Sequence, residues 1–323
     1  MTLAPNLPTD AAAAPRSKPR PRAKAPWQVW LGGDGKISAL RLIALAFLLV
    51  PAVIAIYDYR TSGFGARPIN DVIHRTGYWT LIFLMVSLAV TPLRRIARFN
   101  QLTDIRRIVG VGAFVYAAAH ISLYVADQMF DLKKVVSEIV LRLYLTIGFV
   151  AWLGLAALAA TSTDAMVRRL GSKRWQRLHQ AIYLIGALAL IHYFQQTKAE
   201  VSVPTFVAGL FGWMIGYRVL VKRRKTREEP PTWMLLVLCI VAGILTMVGE
   251  AIGIALSFRV SPLMVLRLNF DIDFDMLDAL RPGWLVLGAG LGVVAVDFIR
   301  LRVAKPRRPT AKPTAAVSAA KSR

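Results

Sequence analysis

A single cysteine, Cys239, stands in 323 residues. One thiol cannot close an intramolecular disulfide, cannot ligate an iron–sulfur cluster, and cannot complete the Cys-X-X-Cys-His motif that attaches haem covalently. Acidic residues are scarce as well: 18 Asp and Glu stand against 41 Lys and Arg, for a formal net charge of +23. Histidine is rarer still, with four copies. Charged residues make up only 18% of the chain, whereas 56% is hydrophobic and mean hydropathy is +0.50. That balance excludes an ordinary water-soluble protein of this length.

What remains is a series of long apolar runs. A bilayer core of about 30 Å takes about 17 to 25 apolar residues per helix. Eight runs fit: Ser38 to Tyr57, Thr76 to Thr91, Ile108 to Ala126, Leu143 to Ala160, Leu178 to Phe194, Val201 to Val221, Trp233 to Phe258 and Trp284 to Ile299. The second and last are short, and the seventh contains Glu250. The pattern predicts an all-α, polytopic membrane helix bundle. A six-helix core is expected over 37–224 and two further transmembrane helices over 225–303.

The basic residues sort by connection. The N-terminal segment, the second, fourth and sixth connections and the C-terminal end hold 31 of the 41 Lys and Arg, and the other four connections hold 10. This alternation is the positive-inside pattern. It places both termini in the cytoplasm of an inner-membrane protein and accounts for the charge without a nucleic-acid partner. Segment 1–36, rich in Pro, Ala, Lys and Arg, has no apolar core before Trp27. It reads as a disordered basic tail rather than a cleavable signal peptide, and 304–323 has the same character.

Three of the four histidines fall in or beside the spans, where ionisable side chains are costly and tend to be functional. The third and fifth spans both run away from arginine-rich ends. His120 and His192 therefore each lie about 20 Å along their helices, at one depth. Two neutral imidazoles on neighbouring helices at one level suit axial coordination of a b-type haem, with interhelical hydrogen bonding as the competing explanation. His179 lies 13 residues before His192, at the basic edge. On a straight helix it points about 140° away from His192. Counting 14 residues back from His120 gives Arg106, on nearly the same face, suited to a haem propionate or a second iron, or simply to setting topology. His74 opens the second span, as an interfacial residue or a partner contact, with Asp71 placed to cap or orient it.

Other features are less specific. Gly288-Ala289-Gly290-Leu291-Gly292 has helix-packing spacing, and no strand precedes it to make a dinucleotide loop. Glu250 suits a proton path or pairing with a polar neighbour. Asp271, Asp273, Asp275 and Asp278 suit a docking patch or a solvated loop.

The specific signal is the text around the histidines. It includes Asp71 to Gly77, Thr91-Pro92-Leu93, Arg106-Arg107, Ala119-His120 and Tyr144-Leu145-Thr146-Ile147-Gly148. It continues through Thr161-Ser162-Thr163-Asp164-Ala165-Met166, Lys173-Arg174-Trp175-Gln176-Arg177-Leu178-His179 and Ile191-His192-Tyr193. Residues 70 to about 198 resemble the MsrQ (YedZ) family of haem-binding membrane subunits of periplasmic methionine-sulfoxide reductase systems, in the ferric-reductase-like transmembrane group.

The resemblance implies haem b ligated by His120 and His192, His179 at a second haem level with Arg106 beside it, and FMN, for which no sequence signature is visible. It implies an electron-transfer subunit rather than a catalytic one. Its donor would be quinol or a flavin reductase, and its acceptor a separate periplasmic reductase. A metalloreductase of the same fold and a membrane transporter are the alternatives, though no internal repeat of the transporter kind is evident.

The charge split makes one expectation directly testable. A reporter that is active only in the periplasm, fused after Arg323, is expected to be inactive; activity there would leave seven spans as the topology.

Overall fold

The computed structural model describes residues 28–32, 35–61, 63–197, 200–224, 229–271 and 280–303. The expected tails over 1–27 and 304–323 lie outside these residues, as do Asp273, Asp275 and Asp278. Within the expected tail, Leu31 pairs with Ile37 and the Arg41 guanidinium donates to the Leu31 carbonyl at 2.7 Å, so this stretch is held against the first helix.

The described residues form helices and a single isolated bridge. In chain order the helices are α1 (Ala39–Thr61), α2 (Pro68–Ile96), α3 (Thr103–Asp127), α4 (Leu132–Leu141), α5 (Leu143–Ala160) and α6 (Asp164–Leu170). They continue with α7 (Ser172–His179), α8 (Ile182–Gln196), α9 (Ser202–Arg223), α10 (Thr232–Phe258), α11 (Pro262–Leu268) and α12 (Pro282–Val303). This is a polytopic membrane bundle, as the apolar runs require.

Among the described residues seven helices are long and apolar enough to cross a membrane: α1, α2, α3, α5, α9, α10 and α12. The fifth expected span, Leu178 to Phe194, is not one straight helix. Backbone bonds tighten from the α to the i→i−3 pattern at Ala181 N to Leu178 O and Tyr183 N to Gln180 O, and the helix divides into α7 and α8. α8, with 15 residues, is about 22 Å long, short of a full span by itself. It still runs antiparallel along α5, since His192 lies beside Gly148 and Ile185 beside Gly154. The division also removes the straight-helix basis for the angle between His179 and His192.

Neighbouring helices alternate in direction. Gly77 meets His120 and Gly110 meets Ser87 across α2 and α3, while Cys239 meets Gly290 across α10 and α12. Gly290 thus serves the close packing that its glycine-rich run suggested. With lipid on the outside, such contacts and internal polar bonds hold the bundle, because apolar burial between helices gains little over lipid.

Two polar junctions show how. Pro92 lies inside α2 and has no N–H, so the Leu88 carbonyl four residues earlier lacks its helical donor. Arg218 of α9 supplies the replacement at 2.6 Å and also donates to Tyr183 Oη of α8 at 3.0 Å, which ties three helices together. At the same end, Glu229 accepts from Arg95 of α2 and from Tyr217 of α9, each at 2.8 Å. Arg300 of α12 donates to the Ile96 carbonyl that closes α2.

Glu250, whose side chain is fully buried, pairs with Arg281 at 3.0 Å, so pairing rather than isolation describes it. Arg281→Leu is expected to destabilise the detergent-solubilised protein by about 3 kcal/mol, the low end for breaking a buried pair because Arg281 keeps 30% exposure. The double variant Glu250→Leu/Arg281→Leu is expected to recover most of that loss in thermal unfolding. An unchanged Arg281→Leu variant would show that the pair carries no stability.

Candidate metal centre

α2, α3, α5 and α8 enclose a cavity of about 280 Å³. Leu84, Trp152 and Leu155 line its depth, His120 and His192 its middle, and His74 its mouth. Both middle histidines are half-buried.

Their side chains are held alike. His120 Nδ1 lies 2.8 Å from the Ile73 carbonyl oxygen of α2, and His192 Nδ1 lies 2.8 Å from the Tyr144 carbonyl oxygen of α5. A carbonyl only accepts, so each Nδ1 carries the proton and each Nε2 keeps its lone pair. An Nδ1–H donated to a backbone carbonyl is the usual support of an imidazole that ligates metal.

The two ring centres are 6.3 Å apart and their planes meet at 80°. A metal–nitrogen bond of about 2 Å on each side, with about 1 Å from each nitrogen to its ring centre, requires a separation of about 6 Å. The spacing therefore fits two axial ligands of one metal. Among the described residues no group of three or more His, Cys, Asp or Glu is placed to enclose an ion. Two imidazoles leave the equatorial positions to another donor set, which the four nitrogens of a tetrapyrrole supply.

The opposite level differs. His179 ends α7, where its ring stacks on Trp175 at 3.9 Å between centroids. Its Nε2 lies 3.2 Å from Thr161 Oγ1, and that hydroxyl gives its own proton to the Ala157 carbonyl at 2.8 Å. Thr161 therefore accepts from Nε2–H, and the free lone pair of His179 is on Nδ1, the reverse of the upper pair. Arg106 and Arg107 lie within electrostatic reach of His179. Both arginines are exposed, and Arg107 pairs with Asp164 at 2.6 Å.

The structure thus gathers His120 with His192, and Arg106 with His179, at separate levels. His74 is exposed at the mouth, and Asp71 accepts from the Gly65 amide at 3.0 Å instead of holding His74.

Residues 39–190 match the family described as the ferric reductase like transmembrane component. The protein-methionine-sulfoxide reductase heme-binding subunit MsrQ of Herminiimonas arsenicoxydans is 39% identical over 184 residues, 56% of this chain and 82% of that protein. The chain belongs to the MsrQ family. The subunit of the same name from Rhodospirillum rubrum is 38% identical over 193 residues, 59% of this chain and 93% of the relative. That from Xanthomonas euvesicatoria is 36% identical over 211 residues, 64% of this chain and 84% of the relative. No solved structure matches. The matched stretches thus cover 56% to 64% of the present sequence.

Two glycines at this site were not singled out by sequence reasoning. Gly77 lies under the His120 ring and Gly148 under the His192 ring. The carbonyl that anchors each ring precedes its histidine by 47 positions in one helix pair and by 48 in the other, a correspondence that only the fold reveals.

Proposed function

We propose that this chain is a haem-binding electron-transfer subunit that delivers electrons to a periplasmic methionine-sulfoxide reductase. The observation that carries the reading is the pair of Nδ1-anchored imidazoles with ring centres 6.3 Å apart beside one cavity. The names of the relatives support both the haem and the reductase system.

In this reading His120 and His192 hold a b-type haem through Nε2, because no cysteine pair is available for covalent attachment. The haem, when bound, supplies one-electron chemistry, and the protein contributes depth, ligand orientation and exclusion of water. Ile73 and Tyr144 hold the proton of each imidazole on Nδ1 and so leave Nε2 free for ligation. Leu84, Trp152 and Leu155 give the cavity its low dielectric.

Arg106 and His179 form the entry level at the arginine-rich end, taken as cytoplasmic from the charge pattern. Arg106 offers a fork of donors to a carboxylate or phosphate, whether of haem or of FMN. A metal ligated by His179 in the geometry seen would take Nδ1, or Nε2 after release of Thr161. The levels are about 21 Å apart along α3, from Arg106 to His120. Quinol or a flavin reductase is the proposed donor, and the inner membrane the location. The family described as ferric reductase like favours reduction of ferric chelates as the second reading.

His120→Ala and His192→Ala are each expected to lower haem content of the purified protein severely, while His74→Ala keeps it. Wild-type content in either ligand variant would refute the pairing. To test the acceptor, the protein is reduced anaerobically and mixed with the periplasmic reductase and oxidised methionine. Reoxidation faster than in buffer is expected. No acceleration would reject this acceptor, and rapid reoxidation by ferric chelates alone would favour the second reading.

A further inference from the structure

We propose that Gly77 and Gly148 are positioning residues that, with the carbonyls of Ile73 and Tyr144, fix the two ligand rings nearly perpendicular and so set the electronic state of the iron. The inference rests on the reading that His120 and His192 ligate haem.

The geometry is repeated in two helix pairs. In an α-helix the carbonyl of residue i accepts from the N–H of residue i+4. The carbonyl of Ile73 stands four residues before Gly77, and that of Tyr144 four residues before Gly148. In both cases the carbonyl that receives the histidine Nδ1–H is thus also the intrahelical partner of the glycine. The ring must lie across the glycine to reach it.

A β-carbon on Gly77 would stand 3.0 Å from His120 Cε1 and 3.1 Å from Nδ1. One on Gly148 would stand 2.8 Å from both Cε1 and Nδ1 of His192. The atoms met belong to a rigid ring, not to the end of a flexible chain. The ring or its helix must therefore shift, by a few tenths of an ångström at Gly77 and by more at Gly148, and either shift disturbs the Nδ1–H···O contact.

Each carbonyl–glycine–histidine unit fixes one ring in the frame of its own helix pair, α2 with α3 and α5 with α8. The planes of the two rings held in this way meet at 80°. Perpendicular imidazoles donate π density to different iron d orbitals and leave those orbitals nearly degenerate. Parallel planes would load one orbital and separate them. The arrangement therefore predicts a ferric low-spin centre with strongly anisotropic magnetism, seen in electron paramagnetic resonance as a single far-low-field feature instead of a resolved rhombic spectrum.

The test uses the full-length, haem-loaded protein in detergent, as wild type, Gly77→Ala, Gly148→Ala and the control Gly212→Ala. Gly212, on α9, has open space where its β-carbon would be. The wild type and Gly212→Ala are expected to show the low-field feature. Each of the other two variants is expected to lose at least half of it, to a rhombic or high-spin signal. A rhombic wild-type spectrum overturns the inference whatever the variants do, even if they fail to accumulate. A low-field wild-type signal kept at full intensity in both variants overturns the role of the glycines while leaving the haem reading intact. A wild type without low-spin haem, or with the same signal after His192→Ala, overturns the haem reading and this inference with it.

Discussion

A hydrogen bond from an imidazole Nδ1 to a helix carbonyl, made twice, is the constraint on which the rest of the site depends. In a membrane an isolated neutral bond of this kind contributes about 0.6 to 2 kcal/mol, too little to hold the bundle together. Its effect is on direction. It decides which nitrogen carries the proton, and loss of such support typically lowers metal affinity about 10- to 100-fold. The carbonyl must come from a facing helix, the facing residue must lack a β-carbon, and both histidines must sit at one depth. The antiparallel arrangement of α2 with α3 and of α5 with α8 meets all three conditions.

Those helices have little apolar driving force toward one another, and the polar junctions at the opposite end show what keeps them in place. Pro92 frees the Leu88 carbonyl, Arg218 takes it up, and the same guanidinium reaches Tyr183 of α8. One residue of α9 thereby connects the helix that anchors His120 with the helix that carries His192. Glu229 and Arg300 extend the connection to the segment beyond α9. α12 closes the end of α2 in this way, so the C-terminal helices brace the core.

Much of this was legible in the sequence, for physical reasons that also mark where it stopped. Spans could be read because a bilayer fixes their length, and the depth of His120 and His192 because helical rise is constant. The division between α7 and α8 left no such trace: neither Pro nor Gly stands between His179 and Ile182, and only the backbone bonding reveals the tighter turn. The opposite tautomers of His179 and the upper pair depend on which oxygen each ring meets, a matter of tertiary contact. Gly77 and Gly148 are two among 22 glycines, and only the ring lying across each separates them from the rest. Glu250 was legible as a buried acid, but its partner Arg281 is 31 positions away and required the fold.

The two levels are therefore unlike. The upper one is symmetric, with neutral donors and fixed rings; the lower one is cationic, with Arg106 open and His179 engaged by Thr161 and Trp175. In the function proposed above, an anionic group is received at the lower level and electrons leave at the other face. The claim at the centre of this account is that His120 and His192 are the two axial ligands of one haem. Near-infrared magnetic circular dichroism of the ferric protein tests it most directly, because the energy of the charge-transfer band identifies the axial pair. A bis-histidine band that disappears in both His120→Ala and His192→Ala is the result this structure predicts. A band of histidine with another ligand, or a bis-histidine band that survives either substitution, would contradict it.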